Sequence, residues 1–185
     1  MHTKRARILA IDPGTRELGV AILEGKDLLF YGVKTVQKRT TPQEVLREIT
    51  RIIKQLINYY APSILAIEKV FLTQKNASLL IVATDQIKAV GIKEELAVYE
   101  YAPKVIRKFI CQTGKATKRE VARHLTRKYY ELSQYMDRKS RWEQIYYSKM
   151  FDAIAVGLIC YTELANTQSS DNHSYKTSFA DKGQS

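Results

Sequence analysis

Short apolar runs alternate with polar, turn-forming residues in the first part of the chain, and each run has the length of a β-strand. They predict strands over Arg7–Asp12, Leu18–Glu24 and Asp27–Val36. Gly25-Lys26, between the second and third runs, is typical of a tight hairpin turn. We therefore expect these three strands to be antiparallel neighbours in one sheet.

The spacing of apolar positions then changes to that of a helix. Thr41 suits the N-cap of this helix and Pro42 its first position, and Ala61-Pro62 ends it. An apolar run, Ser63–Val70, predicts the next strand, and Phe71–Asn76 follows it as a loop. The remaining predicted elements are a strand at Ala97–Tyr101 and helices at Ala77–Leu96, Lys104–Gln112, Lys118–Tyr130 and Ser148–Leu164.

This order of elements predicts an α/β fold with one mixed five-stranded sheet and helices on both of its faces. A chain of 185 residues is long enough for one well-cored domain, with little left for a second. We expect that domain to occupy residues 1–165 and to include an irregular stretch at Leu132–Tyr147. Residues 166–185 carry few large apolar side chains, which favours a disordered C-terminal tail.

The net charge of +11 changes the functional picture, because such an excess favours polyanionic partners. Nucleic acid is the first candidate, and an acidic membrane surface is the second. The basic residues cluster, since Glu120 is the only acid between Lys104 and Tyr130. Arg119, Arg123 and Arg127 follow one another at four-residue spacing and so share one face of a helix. A solvated helix face is the alternative reading of this cluster.

The two cysteines, Cys111 and Cys160, are too few for a multi-cysteine zinc site or a disulfide framework. No apolar run approaches the roughly 18 residues of a membrane-spanning helix. We therefore expect a cytoplasmic protein without a membrane association.

Three carboxylates each interrupt an apolar element. Asp12 ends the first strand, Glu68 ends the Ile64–Ile67 run, and Asp152 lies inside an almost wholly apolar helix. Any one of them could be a cap or a buried salt bridge, and Asp12 alone could cap the Pro13-Gly14 turn. Together they would repel one another unless cations neutralised them. Because Mg²⁺ prefers oxygen ligands, a basic protein with these acids suggests metal-assisted phosphodiester hydrolysis.

Three segments resemble the motifs of RuvC-type Holliday-junction resolvases, namely Ile11–Gly19, Ala66–Phe71 and Asp152–Ala155. The similarity continues through Lys75-Asn76-Ala77, Tyr101–Lys104 and Gly114–Lys118. It implies an RNase H-like fold and a homodimer that cuts two opposed strands of a four-way DNA junction, using Mg²⁺ or Mn²⁺. By position it makes Asp12, Glu68 and Asp152 the catalytic, metal-binding acids, with Asp12 shared between two metal ions.

The same resemblance identifies side chains that would contact the DNA. Phe71 matches an aromatic residue that wedges into the junction, and core packing is its alternative role. Next to a strand-end acid, an apolar ring also suits stacking on a base. The expected basic contacts, which would bind phosphate rather than read sequence, are Lys69, Lys75, Arg107, Lys115, Lys118 and Lys149.

The chain departs from the family pattern at Lys149. The family usually has an Asp or His there, one helical turn before the last acid, whereas lysine cannot ligate Mg²⁺ and its charge opposes metal binding. Three acids could suffice, Glu143 or Asp137 could fold in, metal affinity could be reduced, or Lys149 could contact the scissile phosphate. The sequence leaves these four alternatives open.

Other functions compete with a junction-cutting nuclease. Lys149 motivates a non-catalytic junction-binding protein, and the opening motif is shared with the YqgF group of RNA-processing nucleases. Actin-like and sugar-kinase ATPases also open with an Asp-x-Gly-Thr loop, but two such domains would not fit in 185 residues. The helix Ala77–Leu96, apolar beyond one stripe, is the expected dimer interface, and no segment points to a branch-migration motor.

Overall fold

The computed structural model describes residues 6–36, 41–71, 77–136, 138 and 140–180. Its strands are β1 Arg7–Asp12, β2 Glu17–Glu24, β3 Asp27–Thr35, β4 Ile64–Glu68 and β5 Ala97–Tyr101. They form one five-stranded sheet in the order β3-β2-β1-β4-β5. The first three strands are antiparallel neighbours, and β4 and β5 run parallel to β1. The predicted mixed sheet with helices on both faces is confirmed.

The helices are α1 Pro42–Tyr60, α2 Ala77–Lys93, α3 Pro103–Cys111, α4 Lys118–Lys128, α5 Ser133–Met136 and α6 Arg141–Ala180. A short 3₁₀ turn, Tyr130–Leu132, precedes α5. The hydroxyl of Thr41 accepts a hydrogen bond from the backbone N–H of Glu44, which confirms the predicted start of α1. None of the helices in the described part of the chain is long and apolar enough to cross a membrane.

One face of the sheet, called here the α6 face, is covered by α6, with α3 and α4 packed beside it. Its central positions are the fully buried alanines Ala10, Ala21 and Ala66, which lie on three neighbouring strands. Small side chains at these positions let a helix backbone approach the sheet closely. The buried segment of α6 that covers them, residues 150–160, is apolar apart from Asp152.

The opposite face, called here the α1 face, is covered by α1 and α2. Side chains alternate between faces along a strand, so the residues between the alanines point here. They are large and buried, and they pack with α1 and α2 in a second core. The fully buried sheet side chains of this core are Leu9, Ile11, Leu18, Val20, Ile22, Leu65 and Ile67.

The sequence prediction was wrong about the start of the last helix. α6 begins at Arg141, within residues predicted to be irregular, and continues to Ala180. The hydroxyl of Ser140 accepts a hydrogen bond from the backbone N–H of Glu143 and so caps the start of α6. No proline or glycine occurs from residue 158 to residue 182, so no helix breaker ends it earlier. The helix therefore crosses the predicted domain boundary at residue 165.

Candidate active site

Asp12 and Glu68 end adjacent parallel strands on the same face of the sheet. β1 and β4 pair in parallel, with Ala10 opposite Ala66 and Ile11 opposite Ile67. Because side chains alternate along a strand, both carboxylates project to the α6 face, as the two alanines do. Asp152 of α6 comes close enough for its charge to act on both other acids. The structure thus brings the three predicted acids together.

The close approach of α6 depends on a glycine over the middle of β1. A Cβ atom added to Gly157 would overlap the side chain of Leu23 and lie only 3.1 Å from the Cβ atom of Ala10. A distance of this size is tighter than ordinary van der Waals contact. The absence of a side chain at Gly157 therefore sets how near α6, and with it Asp152, comes to the strands.

A second glycine performs the same role at the level of the acids. Gly19 pairs with Asp12 across the β1–β2 ladder. A Cβ atom added to Gly19 would overlap the backbone carbonyl of Lys149 and lie 3.1 Å from the Cβ atom of Asp12. The backbone of α6 consequently rests directly on β2 beside the first acid.

Two lysines contact the acids. The ammonium group of Lys118, at the start of α4, donates a hydrogen bond to Oδ2 of Asp152. The Nζ atom of Lys149 lies 3.4 Å from Oδ2 of Asp12. The site is therefore a mixed cluster of three carboxylates and two ammonium groups rather than a purely acidic one.

Burial and mutual repulsion raise the pKa values of two of the acids. Burial raises the pKa of Asp12 to about 6; the charge of Lys149 lowers it and that of Asp152 raises it. Burial, together with the charges of Asp12 and Asp152, raises the pKa of Glu68 to about 8. Burial alone would lower the pKa of Lys118, but the three carboxylates outweigh it and raise that pKa. The carboxylates remain short of positive charge despite the lysines.

The donor set fits a hard divalent cation, although it does not enclose one. Within the residues that the structure describes, no three acidic, histidine or cysteine side chains are grouped so as to hold a metal ion. Mg²⁺, however, is commonly held by one or two carboxylates with water and substrate phosphate completing its shell. Carboxylate oxygens that face a shared, partly buried space and have raised pKa values meet that requirement.

Two acids, Glu143 and Asp137, are candidates to replace the family's fourth ligand. Glu143 accepts a hydrogen bond from the hydroxyl of Ser140 and lies 4.0 Å from the guanidinium group of Arg138. Ser148 donates its hydroxyl to the backbone carbonyl of Ile145. Asp137 is outside the described residues. Glu143 therefore does not fold into the acid cluster.

Phe71 lies just beyond the end of β4, where the sequence places the junction-contacting aromatic. Its side chain is 50% exposed, which excludes core packing as its role. The Nζ atom of Lys69 lies 5.8 Å from the centre of the Phe71 ring. An exposed ring beside a cation is suited to stacking on a base.

Arg107 and Lys115 are further predicted DNA contacts, on α3 and in the loop that follows it. Arg107 is close enough to Glu68 for its charge to lower the pKa of that acid. Lys115 is exposed in the loop between α3 and α4, and Arg119, Arg123 and Arg127 are exposed on one side of α4. Lys75 lies outside the described residues.

Sequence reasoning missed a basic cavity that opens beside the acid cluster. It has a volume of about 610 Å³ and lies between α4 and α6. Its cationic lining consists of Lys118, Arg119, Arg138 and Arg141. The sequence contains a capping pattern, Ser140-x-x-Glu143, that could have predicted the start of α6 at Arg141. With this start, Arg141 lines the cavity together with Lys118 and Arg119 of α4.

Comparison with known proteins identifies relatives along most of the chain. The sequence model of one family, described as "Crossover junction endodeoxyribonuclease RuvC", matches residues 8–159. The RuvC endonuclease of Prochlorococcus marinus (strain MIT 9312) is 33% identical over 62% of this chain and 76% of its own length. That of Pectobacterium atrosepticum is 31% identical over 68% of this chain and 76% of its own length.

Solved structures share the fold. Thermus thermophilus RuvC superposes with a TM-score of 0.67 at 22% identity, over 87% of this chain and 97% of that one. A yeast mitochondrial Holliday junction resolvase gives a TM-score of 0.63 at 11% identity, over 83% and 76%. At these identities the structures establish the RNase H-like fold, and the sequence matches establish the family. The chain therefore belongs to the RuvC family of crossover junction endodeoxyribonucleases.

Proposed function

We propose that this protein is an endodeoxyribonuclease that resolves four-way (Holliday) DNA junctions by nicking opposed strands. The observation that carries the proposal is the cluster of Asp12, Glu68 and Asp152 at one end of the sheet in a chain of the RuvC family. A related protein, Thermus thermophilus RuvC, has been solved in complex with a Holliday junction substrate, and it covers 83% of this chain at a TM-score of 0.65. The excess of basic residues around the cluster supports a polyanionic substrate.

The three acids would hold a divalent cation, either Mg²⁺ or Mn²⁺. When bound, this cation would supply an activated water and stabilise the leaving oxygen. The chain's own contribution is positioning. β1 and β4 fix Asp12 and Glu68 in register, and α6 brings Asp152 over them. Lys118 keeps a positive charge at the open side of Asp152, where a scissile phosphate would be drawn in.

DNA binding is proposed for the predicted basic and aromatic residues. Phe71 would stack on a base at the junction, with Lys69 beside it. Phosphate contacts would come from Lys75, Arg107, Lys115, Lys118 and Lys149. The cavity between α4 and α6 extends this surface with Arg119 and Arg141. Such contacts give affinity that falls steeply with salt and little sequence preference.

The decisive experiment compares Asp12→Asn with Asp27→Asn on a synthetic mobile four-way junction with Mg²⁺ or Mn²⁺. Asp27 is exposed at the turn end of the β2–β3 hairpin, opposite the end where Gly19 pairs with Asp12, so it serves as the matched control. We expect symmetric nicks from wild type and the control, and at least a 100-fold loss of cleavage with retained junction binding for Asp12→Asn. Equal cleavage by Asp12→Asn would contradict the site assignment.

Two further outcomes separate the competing functions. Tight, salt-sensitive binding of the junction by the wild type without cleavage in either metal would indicate a non-catalytic junction-binding protein. Faster cleavage of structured RNA than of junction DNA would indicate an RNA-processing nuclease. Paired nicks in the DNA junction exclude the first alternative, and faster cleavage of the DNA junction than of structured RNA excludes the second.

We also propose a homodimer, because two active sites related by a two-fold axis match the near two-fold symmetry of a four-way junction. α2 supports this with an exposed stripe that includes Val82 and Ile92, which are 48% and 66% exposed. Val82→Glu should convert a dimer to a monomer in sedimentation equilibrium, whereas Ile145→Glu, on exposed α6 surface, should not. A wild-type monomer at micromolar concentration would contradict the proposal.

The remaining predictions concern the residues that form the nuclease unit and the cellular compartment of the protein. We propose that residues 1–165 form the nuclease unit, so a chain ending at residue 165 should cleave the junction as the full chain does. We further propose a cytoplasmic location, which the free thiols of Cys111 and Cys160 support because disulfides are rare there.

A further inference from the structure

We infer that Lys149 is a built-in cation of this active site, which occupies one side of Asp12 and limits the acid cluster to one divalent metal ion. The inference rests on the proposed function, since it concerns the metal bound by the same acids. It concerns the position where the family pattern has a metal-associated Asp or His.

The ammonium group of Lys149 is directed at the first acid rather than at solvent. Its Nζ atom lies 3.4 Å from Oδ2 of Asp12, and the two side chains are only 23% and 9% exposed. A long lysine side chain at a free surface would extend into water. The contact therefore places a fixed positive charge where a second cation would share the Asp12 carboxylate.

The surrounding backbone leaves room for this lysine. A Cβ atom added to Gly14, in the turn after β1, would lie 3.1 Å from the Nζ atom of Lys149. On the other side, Gly19 lies against the backbone carbonyl of Lys149. Two glycines thus border one lysine, one beside its ammonium group and one beside its backbone.

No further carboxylate reaches the same place in the described part of the chain. Glu143 is held at the start of α6 by Ser140, and Ser148 is hydrogen-bonded to the carbonyl of Ile145. A second divalent ion would therefore sit beside an ammonium group without gaining a ligand. The repulsion between these two cations opposes its binding.

The charges of the cluster lead to the same conclusion. When a metal ion binds, its carboxylate ligands are ionised, and in that state Asp12, Glu68 and Asp152 together exceed the ammonium groups of Lys118 and Lys149 by one negative charge. One divalent ion already reverses that excess. A second would build up positive charge in a partly buried site before any substrate arrives, which is costly.

The test measures metal stoichiometry by isothermal titration calorimetry with Mn²⁺ on the full chain. We expect wild type to bind one Mn²⁺ per chain at the acid cluster and Lys149→Asp to bind two. Lys26→Asp makes the same charge change at the exposed hairpin turn and should bind one. Two ions on wild type, or the same stoichiometry for Lys149→Asp and wild type, would overturn the inference.

A second variant covers the case in which Lys149→Asp does not fold. Lys149→Met keeps the length of the side chain and removes its charge, so the first Mn²⁺ should bind at least about tenfold tighter. Unchanged Mn²⁺ affinity in a folded Lys149→Met protein would overturn the inference. Junction cleavage is measured separately: cleavage by a wild type that binds two ions refutes only the inference, and absence of cleavage with one ion bound refutes only the proposed function.

Discussion

The two faces of the sheet are built from the same strands but pack differently. On the α1 face, large aliphatic side chains such as Leu9 and Ile67 fill the space to α1 and α2. On the α6 face, the central side chains are alanines and the helix backbone lies close to the strands. The buried acid of the α1 face, Glu48, forms a double hydrogen bond with Arg51 of its own helix. The acids of the α6 face come from three separate elements.

This difference shows how the fold separates stability from chemistry. An acid paired three residues away on one helix needs only that helix to be satisfied. Acids on β1, β4 and α6 meet only if the helix is held close to the sheet. The small residues of the α6 face supply that closeness, whereas the large residues of the α1 face fill the space to α1 and α2.

Gly19→Ala should have the largest effect. The added methyl group would overlap the backbone of Lys149, so α6 must move away from Asp12. We expect at least a 100-fold loss of junction cleavage, because a displacement of about 1 Å can cost that much. Gly32→Ala is the matched control on β3, where the nearest atom lies at an ordinary 3.6 Å, and it should cleave normally. Normal cleavage by a folded Gly19→Ala protein would refute the role of close packing.

A pair of helix glycines compares the two faces directly. A Cβ atom at Gly157 of α6 would lie 3.1 Å from the immobile Cβ atom of Ala10, whereas one at Gly91 of α2 would meet the end of the Leu65 side chain. Each Gly→Ala substitution should lower the free energy of unfolding by about 1–3 kcal/mol through overpacking, and the better helix propensity of alanine should offset part of that loss. Only Gly157→Ala should also lower cleavage, roughly tenfold. Urea denaturation and cleavage rates distinguish the two; equal cleavage would show that α6 tolerates the shift.

The smallest effect concerns pH and the acids themselves. The pKa of Glu68 is raised to about 8 in the folded protein from an ordinary value of 4.5. Between these values the folded state binds more protons, so without metal its stability should fall as pH rises. Glu68→Gln should flatten that decline in urea denaturation with EDTA at pH 5.5, 6.5 and 7.5. Glu120→Gln is the control, because its carboxyl has a lowered pKa and acts only at acid pH. An unchanged slope in Glu68→Gln would contradict the buried, repelled state of this acid.

The sequence predicted the elements well where local signals agree. Two strands have the predicted bounds, the other three differ from them by one or two residues, and the cap at Thr41 is as expected. The prediction failed at the start of α6, which Ser140 and Glu143 cap inside a stretch predicted to be irregular. There, tertiary contacts accompany the helix, such as the hydrogen bond that the hydroxyl of Tyr146 donates to the backbone carbonyl of Val33 on β3.

The site itself was predicted only in part. Its three acids could be identified because each is a lone carboxylate in an apolar run, which is costly to bury without a partner. The partners could not be identified in the same way. Lys118 and Lys149 are 34 and 137 residues from the acids they contact, and nothing in local spacing connects them.

Local patterns along the chain were thus enough to identify the five strands, most of the helices and the three isolated acids. Those properties follow from side-chain period and from the local cost of burying charge. The tertiary structure alone decided that Lys149 points at Asp12 and that glycines hold α6 against the sheet. These depend on distances between elements, which are set by how closely two surfaces pack rather than by any pattern along the chain.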